Sequence, residues 1–376
     1  MSMSSFLMDN PKIGVEHIPF DASLWTGRYE PDESERALYW YQLVRARTPF
    51  NAQNSFIQSH HHHNQPNSKV TLVGFACDQG VRRNLGRVGA RHAPPAIRQT
   101  FAKLPIPSAL QNNFDKADYD KFLADVGDIV CYDNDSLIPE ILEQTQAQYS
   151  KQVAGIISQD SLAIGLGGGH AIAYASYMGL WQALNNKSDL NDINATVSSA
   201  PKIGIINFDA HLDIRNAPKG TSGTPFRQIA EYNRSQGQPF HYCAIGISQF
   251  SNTTALFDRA NELGITIITD DSCARSSWES VARQLHQFIE EVDVLYVTMD
   301  MDAFPASIVP GVSAPAAKGI SIDFAERCLE VIFASGKVKM ADFAEINPTY
   351  DIDGRSCKVT ARFLALMIQH HLLLQA

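Results

Sequence analysis

The segment Asn207-Phe208-Asp209-Ala210-His211-Leu212-Asp213 and its later echo Thr298-Met299-Asp300-Met301-Asp302 constrain what this chain can fold into more than anything else in it. Side chains alternate along extended backbone, so Asp209, His211 and Asp213 project from one face, as do Asp300 and Asp302. Each set follows an apolar run, residues 203–208 and 294–299, that reads as a strand buried on both faces. Ligands at the exits of such strands lie at the carboxyl edge of a parallel sheet, where α/β folds place their sites. A third run, Leu162–Leu166, ends in Gly167-Gly168-Gly169-His170, and its glycines permit a tight strand-to-helix turn that holds the His170 imidazole against the same cleft.

The predicted cleft gathers four carboxylates and two imidazoles, with no cysteine in any of the three segments. Buried carboxylates are costly unless a cation neutralises them. The mixture suits Mn²⁺ better than a thiolate-rich zinc site, although affinity order alone favours zinc or copper. Six ligands, at least two placed to bridge, favour two ions over one. Paired divalent ions roughly 3.5 Å apart can hold a hydroxide nucleophile at neutral pH.

From residue 69 onward, short apolar runs near 69–76, 161–166, 202–208, 240–247, 265–269, 294–299 and 338–344 alternate with segments of helical length. Residues 125–131 are a candidate for one strand more. The pattern predicts a three-layer α/β/α domain over residues 69–376, with a parallel sheet of about eight strands. Residues 1–68 read as an amino-terminal extension: a helical candidate over residues 34–47, then a polar loop containing His60-His61-His62-His63.

At 376 residues and 44% hydrophobic content the chain has ample material for a core, and its formal charge of −9 argues against nucleic acid or an anionic membrane as partner. The six cysteines are scattered without a Cys-x-x-Cys pair, as expected of reduced thiols in the cytoplasm. Neither a secretion signal nor an uninterrupted membrane span is expected from the sequence.

In order along the chain, Gly167-Gly168-Gly169-His170, Asp209-Ala210-His211-Leu212-Asp213, Asp300-Met301-Asp302 and Glu345-Ile346-Asn347-Pro348 resemble the arginase/agmatinase ureohydrolase family. The resemblance spans residues 69–375 and implies an arginase-like fold, a homo-oligomer and two Mn²⁺ per chain. It implies that His170, Asp209, Asp213 and Asp300 hold one ion, that Asp209, His211, Asp300 and Asp302 hold the other, and that Glu345 pairs with the amidine or guanidine of the substrate. Within the family, Leu24-Trp25-Thr26-Gly27-Arg28, residues 74–89, residues 222–226 and residues 310–315 resemble the branch that hydrolyses N-formimidoyl-L-glutamate to L-glutamate and formamide in histidine degradation. Two departures from the wider family, Ser222 where a proton-shuttling His usually stands and Pro305 closing a shortened acidic motif, are similar to that same branch. They leave the proton donor unassigned.

Such a substrate carries two carboxylates and a cationic amidine, so its pocket needs anion-binding groups opposite Glu345. Arg215, two residues beyond Asp213, projects from the same face as the ligands and suits a bidentate carboxylate contact. Arg87 and Asn84, in the loop after the first strand with Arg82 and Arg83, are candidates for a second carboxylate clamp or for structural pairing. The mechanism implied is attack of a metal-bridging hydroxide on the amidine carbon, with Asp213 moving a proton to the departing amine and Ser222 or Thr224 near the intermediate. Two alternatives stay open: a guanidinobutyrase or agmatinase type of ureohydrolase, and a non-catalytic metal-binding member.

Overall fold

The computed structural model describes residues 12–50, 67–132, 136–185 and 200–376; the His60 to His63 run lies outside them. Ten strands form one sheet: β1 (Val15–Ile18), β2 (Val44–Ala46), β3 (Val70–Ala76), β4 (Leu123–Cys131), β5 (Leu162–Leu166), β6 (Ile203–Phe208), β7 (His241–Ile247), β8 (Thr266–Thr269), β9 (Val294–Asp300) and β10 (Val338–Ala344). Their order is β1-β4-β3-β5-β10-β9-β6-β7-β8, with β2 also on β4. All pairings are parallel except β1 with β4. The strands expected from residue 69 onward are all present, and two short additional ones come from residues before it.

Helices cover both faces, and the side-chain alternation of the strands sorts the core accordingly. Ile206 and Phe208 of β6 join a cluster with the helices Ala93–Phe101, Ile322–Ala334 and Arg355–Leu373, while Ile203 and Ile205 join the opposite cluster with Ile141–Ser158, Ile172–Asn185 and Pro225–Ser235. Strands buried on both sides carry no polar face, which is why their sequences read as continuous apolar runs. No described helix is long and apolar enough to cross a membrane.

The helix expected over residues 34–47 is replaced by a 3₁₀ turn, Trp40–Gln42, followed by β2. Tertiary partners override the local periodicity there. Trp40 is fully buried and stacks on Phe101 at 5.1 Å, and the backbone N–H groups of Trp40 and Tyr41 donate to Leu104 and Ala102 rather than within a helix. Next, β2 and β1 divide the outer edge of β4 between them, β2 pairing with Leu123 to Asp125 and β1 with Asp128 to Cys131. That cover closes an edge otherwise open to association.

Beneath this edge lies a buried ion network. Arg98 donates to both oxygens of Asp125 at 2.8 and 2.9 Å and to Asp128 at 2.5 Å, and Trp25 Nε1 donates to Asp125 at 3.0 Å. Removing the guanidinium of such a group leaves buried carboxylates without their hydrogen-bonded cation. Arg98→Met is therefore expected to lower unfolding free energy by about 3–5 kcal/mol in urea titrations; a loss within about 1 kcal/mol would count against the network as a structural tie.

Candidate metal centre

Of four adjacent strands at the centre of the sheet, β5, β9 and β6 deliver every expected metal ligand at their carboxyl ends and β10 delivers Glu345. Close backbone approach explains the Gly167-Gly168 pair. A Cβ on Gly167 would come within 1.9 Å of the Phe343 carbonyl oxygen, and one on Gly168 within 2.0 Å of that of Cys77. Neither glycine has positive φ, so the requirement is for a missing side chain and not for a left-handed turn.

Two groups of donor atoms result: His170, Asp209, Asp213 and Asp300 in one, Asp209, His211 and Asp302 in the other. His170 Nδ1 lies 3.0 Å from Asp213 Oδ2, 3.1 Å from Asp300 Oδ2 and 3.3 Å from Asp209 Oδ2. His211 Nδ1 lies 3.1 Å from Asp302 Oδ2 and 3.5 Å from Asp209 Oδ1. Asp209 thus faces one group with each oxygen. Asp300 turns Oδ2 to the first group, while its Oδ1 accepts the Asp302 N–H at 2.8 Å.

A ring of polar groups that a ligand search by sequence does not find fixes these side chains. Asn207 Nδ2 donates to Asp209 Oδ2 at 3.0 Å and to the Tyr242 hydroxyl at 2.9 Å. Asn252 accepts from Leu212 N–H and donates to the Ala210 carbonyl, holding the loop that carries His211. His170 Nε2 meets Thr298 Oγ1 at 3.1 Å, which turns Nδ1 toward the carboxylates. Glu345 is buried and accepts from the His170 backbone N–H at 2.8 Å and from Ser313 Oγ at 2.7 Å. Ser313 lies in the segment 310–315 noted for its resemblance, but nothing in that segment's sequence pointed to a contact with Glu345.

The other expected residues separate. Arg215 and Asn84 are exposed and converge over Gly223, where a Cβ would lie 3.3 Å from Arg215 Cδ and 3.2 Å from Asn84 Nδ2. Arg87 instead donates to the carbonyls of Ser313 and Val312 and stacks over Tyr350 at 4.2 Å. Arg83 is spent on Glu143, bound through two nitrogens at 2.6 and 2.9 Å. Thr224 Oγ1 is engaged within its own loop by Thr221 and Gln228. Beside His211 opens a cavity of about 510 Å³, walled in part by Ser248, Gln249, Phe250 and Lys318. Its size falls in the range of small-molecule sites.

Crowded negative charge dominates the electrostatics. Burial pushes Asp213 up to about 6, with the charge of Asp209 adding to it, and pushes Asp300 and Asp302 up as well. Burial also raises Glu345, to about 7, against the hydrogen bond from Ser313. Asp302 draws His211 up to about 12, and around His170 the three aspartates outweigh burial and raise it too. Burial alone would raise Asp209, but the two imidazoles hold it below the ordinary carboxylate range. The donor set therefore retains protons to offset its own charge, and two divalent cations fit it by displacing them.

The family model for the arginase family matches residues 68–372. The chain belongs to the arginase family. This arginase-family chain is 56% identical to the formimidoylglutamase of Psychrobacter cryohalolentis, across 96% of its own length and 99% of that protein. It is 38% identical to the formimidoylglutamase of Ralstonia nicotianae, across 94% and 96%. Among solved structures, Trypanosoma cruzi formiminoglutamase with Mn²⁺ superposes with a TM-score of 0.67 at 22% identity, covering 82% of this chain and 95% of that one. The formimidoylglutamase of Bacillus subtilis superposes with a TM-score of 0.68 at 21% identity, covering 91% and 94%.

An arginase-family centre that binds metal by displacing protons from raised imidazoles and carboxylates gains affinity as pH rises. Calorimetric titration with Mn²⁺ in buffers of different ionisation enthalpy is expected to show proton release and binding that weakens about tenfold per pH unit for each proton displaced, between pH 8 and 6. Binding unaffected by pH would contradict this account.

Proposed function

We propose that this chain is a formimidoylglutamase, hydrolysing N-formimidoyl-L-glutamate to L-glutamate and formamide with two Mn²⁺ ions. The observation that carries the proposal is the pair of donor groups sharing Asp209 beside the buried carboxylate Glu345, in a chain 56% identical over nearly its whole length to a protein of that name. The donor set, rich in carboxylate and free of thiolate, suits manganese. His170, Asp209, Asp213 and Asp300 would hold one ion and Asp209, His211, Asp300 and Asp302 the other. Residues 69–376 form the catalytic domain in this reading and residues 1–68 an extension, of which β1 and β2 pair with β4. We place the enzyme in the cytoplasm, in histidine degradation, as a homo-oligomer.

When bound, the ion pair supplies a hydroxide nucleophile at neutral pH. The chain supplies the rest. Glu345, fixed at both oxygens by His170 N–H and Ser313 Oγ, offers its remaining lone pairs to the cationic amidine and sets the direction from which its carbon is approached. Asp213 stands against His170 Nδ1 at 3.0 Å, and a carboxylate that holds a cation through one oxygen keeps lone pairs that can accept a proton, which suits it to carry one toward the departing glutamate amine. Arg215 and Asn84, converging over Gly223, take the carboxylates of the tail; Arg215 makes no ion pair with a described residue and has its guanidinium available. Arg87 serves the site through the loop it holds.

The test is release of formamide and glutamate from N-formimidoyl-L-glutamate by Mn²⁺-loaded protein, run beside arginine, agmatine and 4-guanidinobutyrate. Selective turnover of the formimidoyl substrate is expected. Turnover of a guanidine alone would retain the metal centre and overturn the tail assignment. In the same assay Arg215→Met is expected to raise KM about tenfold or more through loss of a charge-assisted contact, with metal content unchanged. Glu345→Gln is expected to cut kcat/KM by about a hundredfold or more.

A further inference from the structure

The loop at residues 310–315 supplies Ser313, whose hydroxyl donates to Glu345 Oε2 at 2.7 Å. Two backbone links set this loop against the strand exit that carries Glu345: Asn347 N–H donates to the Gly311 carbonyl at 2.7 Å, and Val312 bridges Ile346. Both act before Ser313 is reached. At Ser313 itself the attachment is Arg87, which donates through Nε to the Ser313 carbonyl at 3.2 Å and through Nη2 to that of Val312 at 2.5 Å.

Arg87 is held from its other sides as well. Its guanidinium lies over the Tyr350 ring at 4.2 Å, and its own carbonyl accepts from Asn347 Nδ2 at 3.0 Å. A planar guanidinium can stack and fork at once, which a lysine ammonium cannot reproduce. The three segments around Glu345, the loop after β3, the 310–315 loop and the stretch after β10, therefore meet at one side chain.

We propose that Arg87 is a positioning residue for Glu345, acting through the loop it fastens and the hydroxyl of Ser313. The inference rests on Glu345 being the amidine anchor. It assigns Arg87 a task apart from that of Arg215: Arg215 meets the tail of the substrate, while Arg87 sets the direction of the carboxylate that meets its head. Ser313 leaves Glu345 one lone-pair direction fewer, so the carboxylate is orientable toward a cation only while that serine stays in place.

The experiment is a double-mutant cycle of Arg87→Met and Ser313→Ala, read in two ways on Mn²⁺-loaded protein. One reading is calorimetric binding of formamidinium, an amidine head without a tail; the other is kcat and KM for N-formimidoyl-L-glutamate. Each single variant is expected to weaken formamidinium binding about tenfold, the scale of one hydrogen bond to a charged group. The double variant is expected to be no worse than the poorer single, because both act on one contact. Ser313→Thr, which restores a hydroxyl, is expected to recover most of the loss, and Arg87→Lys is not. Melting temperature and metal content, measured alongside, separate a displaced loop from an unfolded one. Additive losses, or an Arg87→Met defect confined to the carboxylate-bearing substrate with formamidinium binding intact, would overturn the proposal and make Arg87 a direct tail contact. Wild-type binding of formamidinium without turnover of N-formimidoyl-L-glutamate would fail the functional reading alone, whereas a wild type that binds no formamidinium would overturn both.

Discussion

Mutual repulsion among buried carboxylates is the constraint on which the rest of this molecule depends. Asp209, Asp213, Asp300, Asp302 and Glu345 are all buried at the exits of neighbouring strands, and among the described residues His170 and His211 stand with them to offset the charge. Such an assembly survives desolvation only with protons or metal cations in place and with every carboxylate held by donors. The parallel sheet meets the second requirement for four of the five, while His170 Nδ1 lies 3.0 Å from the fifth, Asp213. The central strands end side by side, so the N–H groups just beyond them point into the cluster: His211 N–H to Asp209, Asp302 N–H to Asp300, Ala210 N–H to Asp302 and His170 N–H to Glu345.

Rigidity behind the ligands follows from the same arrangement. Asn207, Thr298 and Asp342 occupy the last turns of β6, β9 and β10, one layer below the donor atoms, and each is fully buried. Asp342 accepts from Ser176 at 2.5 Å and Tyr296 at 2.6 Å, Asn207 links Asp209 to Tyr242, and Thr298 fixes the outer nitrogen of His170. A polar layer of this kind is stabilising to the extent that its groups are satisfied: Asn207 Nδ2, Thr298 Oγ1 and Asp342 Oδ2 find partners on neighbouring strands and helices, while Asn207 Oδ1 and Asp342 Oδ1 are buried without one among the described residues. The layer also holds Asp209 through Asn207 and His170 through Thr298, which favours one orientation of each.

Much of this was legible in the sequence because strands buried on both faces leave a plain signature, with the acidic segments directly at their exits; the alternation expected across those segments does not hold, since residues 209–213 lie beyond β6, Asp213 has φ of 49° and Asp302 lies in the 3₁₀ turn Met301–Ala303. β6, β9 and the Gly167-Gly168-Gly169-His170 turn were therefore readable from local pattern alone. What was not readable depends on contacts between distant segments. Residues 34–47 carry helical periodicity, yet the burial of Trp40 against Phe101 and the pairing of β2 with β4 decide their conformation. Among the arginines, spacing from Asp213 drew attention to Arg215, but nothing in residues 82–87 distinguishes Arg83, committed to Glu143, from Arg87, committed to a loop more than two hundred residues away. Asn252 and Ser313 are single polar residues in loops, and only the fold gives them partners.

Two of the buried carboxylates also sit on strained backbone. Asp213 and Glu345 have φ of 49° and 64°, a region in which side-chain-bearing residues are uncommon and whose occupation costs on the order of 1 kcal/mol or more. Glycine would relieve that cost at either position and remove the carboxylate. The surrounding structure over-determines both residues instead: Glu345 N–H donates to the Gly168 carbonyl at 2.8 Å and the Asp213 carbonyl accepts from Phe226 N–H at 3.3 Å, while Phe226 packs edge-on against the His170 ring. Backbone strain, burial and charge therefore coincide at the same two residues, and the stability that tolerates them comes from the two apolar layers on either side of the sheet.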